Sequence, residues 1–128
     1  MIVIDSDILV SFLNAKPAAI AAMEALDAMG EELATTSLNA AEVLRGVSHA
    51  ATKRVAAEAL LAGLTEVPFG PRAARRHGLI TSGADRTGAP LPNVDAMVAA
   101  ATLEAGARLA TRNLRHYGRI PGLELVSV

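Results

Sequence analysis

Short apolar runs rich in β-branched residues alternate along this chain with longer segments of helical spacing, and that alternation restricts the fold more than any other feature. It predicts an α/β domain with a mostly parallel sheet of four to five short strands, covered by helices on both faces. The opening IVID reads as a buried strand, followed by a helix that begins within residues 8–13. A second helix over Ala18–Met29 places Ile20, Met23, Ala25 and Leu26 near helical spacing and stops at Gly30. Leu33–Thr36 reads as the second strand, Asn39–Val47 and Thr52–Ala62 as helices, and Thr65–Phe69 as the third strand with Pro68 near its end. A basic helix over 71–82 and the loop GAPLPN follow. From Val94 the residues Met97, Val98, Ala101 and Ala105 continue one apolar stripe up to Gly106. Arg108–Thr111 and Leu123–Val128 complete the strands, joined by a turn or short helix through 112–119 that Pro121 and Gly122 end.

With 128 residues, 52% of them hydrophobic, the chain is read as a single domain over 1–128 that folds without staples. The absence of cysteine excludes disulfides, thiolate catalysis and cysteine zinc sites. With only three scattered histidines, oxygen ligands are the ones left for a metal. Aromatic residues are confined to Phe12, Phe69 and Tyr117, which argues against a binder that stacks successive bases on exposed rings. Charged residues interrupt every apolar stretch well short of the roughly 18 needed to cross a bilayer. The start of the sequence carries no basic region and no small-residue cleavage site, so a cytoplasmic protein without a membrane partner is expected.

A net charge of −1 conceals an uneven distribution. Residues 17–42 hold Glu24, Asp27, Glu31, Glu32 and Glu42 with no arginine or lysine. Arg72, Arg75, Arg76 and His77 form one basic block, and Arg108, Arg112, Arg115 and Arg119 another. Such blocks are solvated helix faces or phosphate-holding surfaces, and charge alone does not separate the two.

In open parallel sheets, ligands bind beyond the carboxyl ends of the strands. Three acids fall there: Asp5 after the first strand, Glu42 in the helix after the second, and Asp95 in the first turn of the helix from Val94. Each has a purely structural use. Asp5 or Asp7 can cap a helix, Glu42 can close an Asn39-x-x-Glu42 capping box or pair with Arg45, and Asp95 can follow an Asn93 cap. Sharing one cleft is costly, since carboxylates about 4 Å apart repel by roughly 4 kcal/mol at an effective dielectric near 20. A hard divalent cation such as Mg²⁺ or Mn²⁺ offsets that repulsion and leaves coordination positions for a phosphate.

Four ordered segments carry a family resemblance over nearly the whole chain: IVIDSDIL, SLNAAEVLRG, GAPLPNVDAMVAAATLEAG and LATRNLRHYGRIPGLEL. In their order, spacing and place after the strands, the chain resembles the PIN-domain ribonucleases, and among them the single-domain VapC-type toxins of toxin–antitoxin pairs. The resemblance implies an endoribonuclease dependent on Mg²⁺ or Mn²⁺ that hydrolyses RNA with activated water and leaves 3′-hydroxyl and 5′-phosphate ends. It implies that Asp5, Glu42 and Asp95 bind the metal, and that the TRN segment lines the same site. Asn113 stands where the family often has a fourth acid, so it can position water or substrate but adds no charge. Asp7 stands where relatives carry a small polar residue; it either compensates for Asn113 or caps the first helix. Ser6 and Thr111 are candidate hydroxyl ligands or donors to the acids. Arg112 and Arg115, flanking Asn113, are candidate phosphate holders, because a planar guanidinium matches two oxygens. His116 reads as a half-exposed loop residue within reach of RNA, and Tyr117 as core. The resemblance further implies a homodimer and a cognate VapB-type antitoxin, whose peptide lies over a helical groove near the acids.

Two other readings compete. A catalytically weak domain of the same fold could bind RNA or an antitoxin without cutting. Alternatively, Asp5-Ser6-Asp7 could serve as the nucleophile and acid of a haloacid-dehalogenase-like phosphatase, with Lys53 as the downstream lysine that such chemistry requires.

Overall fold

A computed structural model describes residues 1–47 and 50–128. Five short strands, β1 (Ile2–Ile4), β2 (Leu33–Thr36), β3 (Thr65–Val67), β4 (Arg108–Ala110) and β5 (Leu125–Val126), form one sheet in the order β3-β2-β1-β4-β5. Every neighbouring pair is parallel. The register sets Ile2 beside both Leu33 and Arg108, and Ile4 beside Ala110.

Side-chain alternation splits the core between the two faces of the sheet. Val3, Ala34 and Leu109 point to one face, and Ile2, Ile4 and Ala110 to the other. The first face is covered by α5 (Pro71–Arg86), α6 (Asn93–Glu104) and α7 (Leu114–Tyr117), which bring Ala73, Val98, Ala99, Ala101 and Tyr117. The second is covered by α1 (Ser6–Leu13), α2 (Pro17–Ala28), α3 (Ser37–Gly46) and α4 (Ala51–Ala62), through Ile8, Leu9, Leu26, Val43 and Ala57. Among the described residues no single helix is long and apolar enough to cross a membrane.

The expected elements are all present, but several boundaries move for identifiable reasons. The first helix starts at Ser6, because Asp5 itself ends the strand and caps the helix. Strand β3 stops at Val67, where Pro68 removes the next ladder donor. Helix α5 runs past residue 82 to Arg86, carrying Gly83 within it, and terminates before the left-handed Gly88 at φ 72°. Helix α3 begins two residues earlier than expected, because the Thr36 hydroxyl accepts from the Asn39 N–H at 3.0 Å. The Asn39-x-x-Glu42 capping box does not form, and no Glu42–Arg45 pair is found among the described residues. Asn93 is likewise not a cap: it opens α6 behind Pro92, and its side chain meets His77 at 3.0 Å.

Helix α6 also departs from the expected single stripe. Val94 is exposed, whereas Ala96 and the whole run Val98–Thr102 are buried. Its centre is three consecutive alanines, Ala99–Ala101, and side chains that small let the sheet and α5 approach α6 from different sides. A helix enclosed in this way cannot slide or rotate cheaply, so its first turn, with Asp95, is held in a fixed place.

Much of the charge asymmetry is structural. Arg72 and Arg76 both pair with Glu104 of α6, at 2.6 and 3.1 Å, and Arg108 pairs with Glu31. Arg119 donates to the Ala89 and Pro90 carbonyls at 2.9 and 3.4 Å. Arg112 and Arg115 remain exposed, with no ion pair among the described residues.

Candidate active site

The strand order decides where a ligand can sit. From β1 the chain moves outward through β2 and β3, then returns to place β4 on the other side of β1. The connections therefore part at the carboxyl ends of β1 and β4, the switch point at which open α/β sheets form a crevice. Asp5 follows β1 and Thr111 follows β4, so both stand at that point.

Asp5 is the centre of the site. Its side chain is 6% exposed, yet both oxygens are engaged. Oδ1 accepts from the Ser6 N–H at 2.9 Å and from Asn39 Nδ2 at 2.8 Å, while Oδ2 accepts from the Thr111 hydroxyl at 2.7 Å. Burial pushes its pKa from 3.8 up to about 6, against the lowering effect of the Thr111 hydrogen bond. Asp7, whose negative charge also raises Asp5, accepts from the Ile8 N–H at 2.7 Å and from the Arg112 N–H at 3.0 Å. Asp5 is thus the cap of α1, and Asp7 ties the start of that helix to the segment after β4.

The remaining acids are joined to this centre by polar intermediaries. The Ser6 hydroxyl donates to Glu42, which is exposed on α3. Thr111 Oγ1, while donating to Asp5, accepts the Asn113 N–H at 3.0 Å. Asn113 Nδ2 in turn reaches Asp95 Oδ2 at 3.3 Å, and His116 Nδ1 reaches the same oxygen at 2.6 Å. His116 Nδ1 also lies 2.8 Å from Asn113 Nδ2, so Asp95, Asn113 and His116 form one polar cluster. Arg112 and Arg115 flank Asn113 at the rim. Lys53 lies on α4 and lines a different crevice, with Val10, Leu13 and Val47, and neither Asp5 oxygen bonds to it. The phosphatase reading loses its lysine.

Tyr117 lies beneath these groups. It is fully buried, as expected of a core residue, and its hydroxyl has no hydrogen-bond partner among the described residues. Burial first, then the charges of Asp5, Asp95, Glu42 and Asp7, hold the phenol well above its ordinary pKa. All four carboxylates therefore act on one buried O–H.

That observation tests whether the residues suit a cation. Among the described residues, no three acidic or histidine side chains close into a ready-made cage. Mg²⁺ does not require one: it dehydrates reluctantly, keeps several waters, and is held by one or two carboxylates. Asp5, Asp7, Glu42 and Asp95, joined through Ser6, Thr111 and Asn113, supply oxygen donors of that type. The residues fit a hydrated hard cation.

Two contributors lie outside the expected set. Asn39, completely buried, holds Asp5 from the helix after β2 while its Oδ1 accepts from Thr36 at 2.6 Å. The pattern Thr-x-x-Asn at a strand end was the available signal. His116, expected only as a loop residue within reach of RNA, is fixed on Asp95. Its spacing of three from Asn113 places both on one side of α7.

Comparison with known proteins finds relatives over nearly the whole chain. Residues 2–122 match the family model for the PIN domain. Ribonuclease VapC19 of Mycobacterium tuberculosis is 33% identical over 131 residues, which cover 97% of this chain and 98% of that protein. Among solved structures, VapBC2 from Rickettsia felis, bound to a DNA fragment from its promoter, superposes with a TM-score of 0.86 at 25% identity, covering 98% of each chain. The DNA-bound VapBC of Salmonella typhimurium gives 0.85 at 23% identity, over 98% of this chain and 96% of that one, a likeness of fold.

Proposed function

This chain belongs to the PIN domain family, and from that membership we propose that it is a VapC-type endoribonuclease dependent on Mg²⁺ or Mn²⁺. The observation that carries the reading is Asp5: a buried carboxylate at the sheet's switch point, linked through Thr111 and Asn113 to Asp95. Asp5, Glu42 and Asp95 hold the cation. When bound, a divalent ion polarises the phosphoryl oxygen and makes coordinated water more acidic.

The chain's own residues supply position and charge. Asn39 and Thr111 keep the Asp5 oxygens aimed in one direction, and Ser6 does the same for Glu42. Asn113 orients water or substrate with its amide. Arg112 and Arg115 hold the RNA phosphates bidentately. The attacking group is water, so no covalent enzyme intermediate forms and the products carry 3′-hydroxyl and 5′-phosphate ends. The active form is a homodimer, and a VapB-type antitoxin restrains it; the VapBC complexes of shared fold support that partner.

Incubating the protein with total RNA, with and without manganese, and mapping new 5′ ends tests the reading. Cleavage requires the ion, and Asp95→Asn lowers it by at least about 100-fold, since even outer partners of a metal are worth about 10–100-fold. RNA binding that is salt-sensitive and metal-independent, with no new ends, supports the non-cutting module in its place.

A further inference from the structure

Beside the acids lies a second feature. An open cleft of about 560 Å³ separates the α5–α6 connection, with Pro90, Leu91 and Pro92, from α7, with Arg115 and His116, and from Arg119 just beyond it. None of the described residues lining it is acidic. Its volume falls in the range of small-molecule sites, about 300–1,000 Å³. His116 joins it to the proposed active site, because the ring that faces the cleft is bonded through Nδ1 to Asp95.

The two walls differ in chemistry. The connection is apolar and rigid, since two prolines fix its backbone and carry no N–H donors. Its Ala89 and Pro90 carbonyls are already occupied by Arg119, which fastens the connection to the end of α7. The facing wall is cationic and aromatic. The His116 side chain is 31% exposed, and its orientation is fixed by Asp95. Arg115 is exposed beside it with no carboxylate partner among the described residues.

We infer that this cleft is a nucleotide subsite, taking the RNA residue next to the scissile phosphate, with its base between the Pro90–Pro92 wall and the His116 ring and its phosphate on Arg115. The inference rests on the ribonuclease reading and adds to it a source of base preference. Flat faces and an anion-binding guanidinium suit one unit of single-stranded RNA, whose unstacked bases are recognised by stacking on aromatic and arginine planes. With no free backbone donors on the proline residues, selection there is by shape and stacking. Arg119 acts as a positioning residue that holds the cleft at its width.

The test separates the subsite from the ribonuclease reading. A 2′-O-methylated RNA oligonucleotide, titrated into the full chain, shifts the side-chain NMR signals of His116 and Arg115. Filling the cleft with Ala89→Trp abolishes that response and weakens binding roughly 10-fold or more, the scale of one lost stacked base. In cleavage of an RNA library with randomised flanks, the wild type shows a base bias at one position adjoining the cut. Ala89→Trp and His116→Ala flatten the bias, His116→Phe, which keeps a ring, restores it whatever its effect on rate, and Arg115→Gln weakens oligonucleotide binding without changing which base is preferred. His116 and Arg115 signals that ignore the oligonucleotide but answer to an antitoxin peptide overturn the subsite, as does a bias unchanged in Ala89→Trp while cutting persists. If the wild type does not cut RNA at all, the ribonuclease reading fails and the titration alone decides the cleft.

Discussion

Replacing Asp5 with asparagine should make the metal-free protein more stable. Burial raises the Asp5 pKa from 3.8 to about 6, so the folded state holds this proton more tightly than the unfolded chain does. The stabilising contribution is complete below pH 3.8 and is lost as pH rises through about 6. Two pKa units correspond to about 3 kcal/mol, spent at neutral pH on keeping a charge out of water. Asparagine resembles the protonated side chain: its oxygen can still accept from Ser6 and Asn39, and its amide can donate to Thr111 Oγ1. In EDTA at pH 8, Asp5→Asn should therefore gain about 2–3 kcal/mol, on the order of 10 °C in Tm for a chain of this size. The difference should vanish near pH 3.5. A divalent ion binds only the intact site, and at about 100 times its Kd it returns about 2.7 kcal/mol to the wild type alone, closing the gap. Thermal unfolding across this pH range, with EDTA and with Mn²⁺, measures every term. A variant no more stable than wild type in EDTA at pH 8, or a gap that does not change with pH, refutes the reasoning.

Two further outcomes follow from the same cluster. Tyr117→Phe removes a buried hydroxyl without a partner, so the metal-free unfolding free energy from urea titration should hold or rise by about 1 kcal/mol at constant m; a fall of that size would reveal a partner for the O–H. Asn113→Asp places a carboxylate where Nδ2 now lies 3.3 Å from Asp95 Oδ2, which should destabilise the metal-free protein by roughly 1–2 kcal/mol and enlarge the Tm increment given by Mn²⁺. An unchanged increment would remove Asn113 from the cation's surroundings.

The fold was legible because short β-branched runs, clearest in Ile2–Ile4, alternate with longer segments of helical spacing. Its all-parallel arrangement follows from the same alternation. Asp5 and Asp95 could be singled out because both lie where a strand or loop gives way to a helix. What could not be read is everything set by pairing across the sheet. Asn39 reaches Asp5 from 34 residues away, and Thr111 from 106. No local pattern encodes either contact. Helix α6 misled for a related reason: enclosure on most sides replaces the amphipathic stripe with the unbroken buried run Val98–Thr102, so periodicity stops reporting which face is inward. His116 was undervalued because a four-residue helix is too short to show a face at all.

The placement of β4 beside β1 has a consequence for synthesis. A chain emerging from the ribosome presents the first half of the sheet long before residues 108–111 exist, and until they arrive β1 is an open edge and Asp5 lacks its threonine. The surroundings of Asp5 are thus completed late, by the strand that seals the middle of the sheet.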